Sequence, residues 1–318
     1  MRWATAGQGS IGTAHRWCRP ARGSCAVPSP AGAQPPGPGL QATDLAVERC
    51  PQLCATAPVV AVALTIAGSD PAGGAGIQAD LKTFHQHGVY GAAVITLLTV
   101  QNTQRLSRVV LQPAELVQAQ LVAVLEDLPV AAVKTGALGD AATVHAVADA
   151  CRKAGLRPVV DPVRVSKAGA ALLADEARDA LVKTLLPQCA LITPNLDEAA
   201  WLTSLSVADL ESQKSAAKWL LDRGAGAVLM KGGHRAGAPD DVLFSEGKIS
   251  VLQGQRVSTP HTHGVGCTLS AAICAHLAQG QPLEQACRDG KAWLQRAIAR
   301  APGIGQGQGA VDHLTPLF

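Results

Sequence analysis

VAVALTIAGSDPAGGAGIQADLKTF, residues 60–84, passes from an apolar run through a glycine-rich loop into a helical pattern. Residues 60–67 (VAVALTIA) carry no charge, which reads as a strand buried on both faces. Ile77, Leu81 and Phe84 then recur at helical spacing. Outward from this unit the alternation continues. Strands are expected at 92–100, 130–134, 158–161, 190–193 and 226–231. Helices are expected at 113–127, 140–154, 196–203, 209–223, 266–279 and 282–300, and over the segment carrying Leu173, Ala177, Leu181 and Leu185. Residues 240–257 read as a β-hairpin. Strand–helix alternation of this length predicts an α/β fold with a mostly parallel central sheet and helices on both faces, a three-layer αβα arrangement. No linker-like composition interrupts residues 58–318, so one domain is expected there.

Residues 1–57 are rich in Pro, Gly, Ala and Arg and have no acid before Asp44. They read as a disordered extension. The Arg-rich start loosely resembles an organellar transit peptide and lacks the apolar core of a secretory signal. The chain has 318 residues, 16% charged and 3% aromatic, with formal net charge +3. That balance, with Lys and Arg scattered, argues against nucleic-acid binding. No apolar run approaches membrane-span length. Nine cysteines, with no CxxC pair, fit neither a disulfide framework nor a structural zinc site, and point to a reducing compartment.

Ligands in open α/β sheets sit beyond the carboxyl ends of the strands. The loops there are 68–76, 101–103, 134–139, 161–167, 193–198, 231–234 and 261–268. Gly74-Ala75-Gly76-Ile77-Gln78-Ala79 spells GxGxxA, but no acid ends the next strand, so a dinucleotide site is the weaker reading. No Gly-Lys-Ser/Thr triplet occurs, which excludes a P-loop. The turn HTHGVGCT, residues 261–268, opens a predicted helix. It is either an ordinary loop-to-helix junction or an anion cradle built from backbone N–H groups and the helix dipole. Cys267 stands in its first turn, where a thiol loses its proton more easily. A cradle with a base inside it suggests phosphoryl transfer. Asp161 and Glu198 stand at neighbouring strand ends and suit Mg2+ held through water. Glu198 equally suits a capping box with Asn195. Lys231 either offsets phosphate charge or is a solvated strand end.

With these motifs in hand, the body resembles the hydroxymethylpyrimidine/phosphomethylpyrimidine kinases of thiamine biosynthesis, in the ribokinase-like superfamily. The strings that carry the resemblance are ALTIAGSDPAGGAGIQADLKTF (63–84), VYGAAVITLLTVQNT (89–103), VKTGAL (133–138), VVDPVRVSKAG (159–169), LITPNLDEA (191–199), VLMKGGH (228–234), HTHGVGCTLSAAI (261–273) and GQGAVDH (307–313). The resemblance implies that Cys267 is the base, with Gly264 and Gly266 donating to the transferring phosphoryl group. It places Gln101, Val163, Ala75 and Asp80 with the pyrimidine, and Lys231, Asn195, Val265 and Thr268 with ATP. It further implies Mg2+, a homodimer and a cytoplasmic enzyme. Departures from the family pattern are Val265, where Thr or Ser is usual, Ala137, where Met is usual, and Arg164, which replaces an apolar residue. A roomier pocket would admit pyridoxine-like rings, so a pyridoxine or pyridoxal kinase is the enzymatic alternative. A catalytically inactive pyrimidine-binding protein is the non-enzymatic one.

Overall fold

The computed structural model describes residues 60–167, 169–233 and 238–318. The expected extension over 1–57 and His234 lie outside these residues. Strand β1 (Val62–Ser69) is followed by α1 (Gly76–Gln86), β2 (Tyr90–Gln101), β3 (Leu106–Leu111), α2 (Ala114–Asp127), β4 (Val130–Thr135), α3 (Ala141–Lys153) and β5 (Val159–Val160). Then come α4 (Ala177–Ala180), β6 (Leu191–Ile192), α5 (Leu196–Thr203), α6 (Leu210–Leu221), β7 (Ala227–Met230), β8 (Asp241–Ser245), β9 (Lys248–Leu252), α7 (Val265–Ala278) and α8 (Leu283–Ala299).

All the strands form one sheet in the order β3-β2-β1-β4-β5-β6-β7-β8-β9. The inner strands β2, β1, β4, β5, β6 and β7 are parallel. β3 joins one edge antiparallel, and the β8–β9 hairpin closes the other. Side chains of a strand alternate between faces. Val228 and Met230 of β7 accordingly enter one core with α2, α3, α5 and α6, while Ala227 and Leu229 enter a second with α1, α7 and α8. Burying each Leu or Ile in these layers stabilises the fold by about 1.5–3 kcal/mol.

Two readings of the sequence need correction. β3 was not expected: its side chains are exposed or half-buried, and its apolar run is only the three residues Val109, Val110 and Leu111. The segment with Leu173 is not helical at that residue. Leu173 instead bridges Gly139 in parallel, and the helix begins at Ala177 and continues as a π-turn over Leu181–Leu185. Apolar residues at helical spacing were satisfied there by burial in an irregular loop.

Candidate active site

The order in which strands are added reverses between the parallel strands β1 and β4, which opens a crevice at their carboxyl ends. A cavity of about 1240 Å3 occupies it. Helix α7 points its N-terminus into this cavity. Its N-cap, Gly264, adopts φ +77°, and no side chain caps the helix. The first intrahelical bond runs from Thr268 N–H to the Gly264 carbonyl at 2.8 Å. The N–H groups of residues 265–267 therefore lack helical partners and face an anion site. Only glycine suits position 264: a Cβ there would lie 1.8 Å from the Gly74 carbonyl oxygen.

Strand ends bring charge to this turn. Lys231, after β7, lies 2.8 Å from Asp161 and 3.5 Å from Glu198. A Cβ on Gly266 would sit 3.4 Å from Lys231 Nζ and 3.5 Å from Asp161 Oδ2. Burial opposes the Lys231 charge, but Asp161 and Glu198 outweigh it and hold the ammonium protonated. Lys231 is thus no solvated strand end. Glu198 closes the expected capping box with Asn195 and also lies 3.5 Å from Lys231. Its pKa is raised, chiefly by burial, with Lys231 opposing and Asp161 adding to the rise.

The residues fit a hydrated divalent cation. Asp161 is 1% exposed, and its Oδ1 takes Lys231 and the Thr193 hydroxyl. Its Oδ2 is buried without a hydrogen-bond partner beside the α7 turn. An orphaned carboxylate oxygen next to a second carboxylate, Glu198, suits a water-held Mg2+.

Cys267 also lines the cavity and is half-buried. The expected acidification is not found. Burial pushes its thiol up to about 11, outweighing the nearby Lys134 charge and a contact from the Gly76 backbone. Desolvation is the largest effect on this sulfur.

Ala75, Gln101, Val163, Asn195 and Val265 line the same cavity, as do Ala137 and Arg164. Two expected residues do not reach it. Asp80 is 0% exposed and saturated: both its oxygens take Lys134 Nζ at 2.9 Å, and Thr65 donates at 2.6 Å. Thr268 is also 0% exposed, its hydroxyl 3.1 Å from His313 Nε2. Both support the crevice from below rather than touching its contents.

The sequence did not reveal the Asp70–His263 pair. The loop 70–75 curls around the Asp70 carboxylate, which accepts from the N–H groups of Ala72, Gly74 and Ala75 at 2.9–3.1 Å. His263 Nε2 adds a 2.9 Å contact. Burial raises the Asp70 pKa, but the hydrogen bonds from His263 and Gln101 outweigh it and the net shift is downward. The pair locks the first glycine loop to the α7 turn. The one sequence signal was an acid among glycines.

The profile of the phosphomethylpyrimidine kinase family matches residues 70–312. The hydroxymethylpyrimidine/phosphomethylpyrimidine kinase of Rhizobium meliloti is 49% identical over 259 residues, covering 80% of this chain and 97% of that protein. The solved phosphomethylpyrimidine kinase of Clostridium difficile matches with TM-score 0.67 and 39% identity, over 74% of this chain and 99% of that one. The ADP complex of Bacillus subtilis pyridoxal kinase matches with TM-score 0.75 and 35% identity, over 80% and 98%. With this crevice, this turn and these likenesses, the chain belongs to the phosphomethylpyrimidine kinase family and has its ribokinase-like fold.

Proposed function

We propose that this chain transfers the γ-phosphoryl group of ATP to 4-amino-5-hydroxymethyl-2-methylpyrimidine, and a second phosphoryl group to the resulting monophosphate, in thiamine biosynthesis. The observation that carries the reading is the uncapped α7 turn with Cys267 inside it and Lys231 and Asp161 packed against Gly266. In the reaction the alcohol oxygen attacks the γ-phosphorus, the bond to the β–γ bridging oxygen breaks, and ADP leaves. Cys267 takes the alcohol proton. The N–H groups of residues 265–267 receive the charge on the transferring group, and Lys231 and Asn195 flank the ATP phosphates. Asp161 and Glu198 would hold Mg2+ through water, which neutralises phosphate charge when bound. Gln101, Ala75 and Val163 hold the ring.

A coupled ADP-release assay with the alcohol, its monophosphate and pyridoxal tests this reading. The highest kcat/KM is expected with the pyrimidine alcohol, and a higher value with pyridoxal would transfer the assignment to that ring. The pyridoxal reading draws support from Ala137, whose small side chain lines the cavity.

The enzyme acts as a homodimer in the cytoplasm. Support for the dimer comes from Leu98, Val100 and Val110, which share one face of the β2–β3 ribbon and are 44%, 55% and 38% exposed. Val100→Asp should yield monomers by light scattering if this face pairs. Support for a reducing compartment comes from the five free cysteines of the described residues, and none of the helices there is long and apolar enough to cross a membrane. Residues 58–318 suffice for activity, so a chain lacking 1–57 should turn over at the full-length rate.

A further inference from the structure

A second cavity, of about 450 Å3, adjoins the first. The two share Gln101, Ser166, Lys167 and His263 as a common wall. Residues 102–106 and the C-terminal strap enclose the rest of it. The strap is pinned in place: Gln308 N–H donates to the Thr103 carbonyl at 2.8 Å and Gly307 N–H to the Thr103 hydroxyl at 3.2 Å. Among the described residues no carboxylate lines this chamber, whereas Lys167 and Arg105 do; His263, which also lines it, is committed to Asp70.

Charge pairing sets Lys167 apart from the other lysines of the main crevice. There, Lys231 is committed to Asp161, Lys291 to Asp241 (each at 2.8 Å) and Arg164 to Asp175 at 3.2 Å. Lys167 is exposed, has no carboxylate partner among the described residues, and bonds the Thr262 hydroxyl at the edge of the α7 turn. Its cation stands where the two cavities meet.

The second transfer of the proposed activity makes a demand that the first does not. The nucleophile is then a phosphate oxygen, and the acceptor carries its own negative charge toward the triphosphate of ATP. Like charges at such range repel by several kcal/mol at low dielectric unless a cation stands between them. The point of transfer stays at the α7 turn, so the acceptor phosphate takes the place of the hydroxymethyl group there and the ring must sit back by one phosphate unit. The chamber beyond Gln101 supplies that room. Resting on the activity proposed above, we propose that Lys167, at the mouth of this chamber and the edge of the α7 turn, holds the phosphate carried by the monophosphate acceptor, while the chamber takes the displaced ring. Lys167 acts as a point charge on that phosphate, Arg105 adds a longer-range field, and the alcohol, which has no charge, does not draw on either.

The test is the ratio of kcat/KM for the pyrimidine monophosphate to that for the pyrimidine alcohol, in the full chain and in Lys167→Gln, Lys167→Arg and Arg105→Gln. Loss of one charge-assisted contact should lower the ratio by about tenfold or more in Lys167→Gln. Lys167→Arg should restore most of it, and Arg105→Gln should lower it less. Equal losses on both acceptors, or an unchanged ratio, would overturn the subsite. Calorimetric binding of the monophosphate without nucleotide gives an independent reading: weaker binding to Lys167→Gln than to the unaltered chain is expected, and equal binding overturns the subsite. ADP release from the unaltered chain with the alcohol alone judges the proposed activity, so the two failures are distinguishable.

Discussion

At the residue scale, Cys267 carries a conflict between burial and the nearby Lys134 charge, and burial prevails. A thiol pushed up to about 11 is protonated near neutral pH. If its thiolate is the base, the active fraction grows as pH rises toward that value. Turnover of the alcohol should therefore climb between about pH 7 and about pH 10. Cys267→Ala should lose about 100-fold or more in kcat with the pyrimidine KM within several-fold. A flat pH profile together with an active Cys267→Ala would remove the thiol from the mechanism. Asp80 has the opposite character, a charge with no access to ligand. Asp80→Asn leaves Lys134 buried without a full counter-charge, and the expected cost is about 3–5 kcal/mol in urea denaturation. An unchanged midpoint would show that the pair does not support the crevice floor.

At the scale of the element, the N-terminus of α7 is defined by two glycines that serve different ends. Gly264 is required by the backbone: φ +77° and the 1.8 Å approach of the Gly74 carbonyl leave no room for a side chain. Gly264→Ala should part the two loops and fail to give a stable, active protein. Gly266 is required by the site instead, since an added methyl would make only ordinary contacts with Lys231 and Asp161. Gly266→Ala should keep its melting temperature within a few degrees while the KM for ATP rises about tenfold, because the methyl enters the anion cradle. Comparable melting losses in both variants would contradict this division.

At the scale of the whole molecule, acid stability rests on buried neutral histidines. His87 packs edge-on to His276 and Trp293, and His313 lies behind Thr268. Burial lowers the pKa of His87 and of His313 to about 4 from an ordinary 6.5, and lowers that of His276 as well. Below 6.5 the unfolded chain takes up protons that the folded chain refuses until about pH 4. Stability contributed by these sites is therefore complete above 6.5 and falls as pH drops, by about 1.4 kcal/mol per pH unit for each histidine. Urea midpoints should fall between pH 7 and pH 5, and His87→Gln should make that fall shallower. A slope untouched by that substitution would mean that His87 is not buried neutral. Asp70 acts lower on the scale. Its depressed pKa keeps its contribution intact above the ordinary 3.8, and that contribution is lost only as pH falls further.

Local chemistry was legible in the sequence, and the rest was not. Helix α5 runs from Leu196 to Thr203 as expected, because Asn195 and Glu198 cap it within a few residues. The α7 turn, the inner strands and the layer order followed from glycine placement and apolar period, which act over one or two turns of chain. Edge strand β3 escaped because an exposed ribbon needs no apolar pattern. Asp80 and Thr268 stood in motifs beside true cavity residues, and a motif does not separate a side chain that faces the ligand from one that supports its neighbour. Only the tertiary structure decided those roles, the acidity of Cys267 and the pairing of Asp70 with His263 across 193 positions. The physical reason is range: period and capping are settled by neighbours along the chain, whereas burial and charge compensation depend on what distant strands bring together.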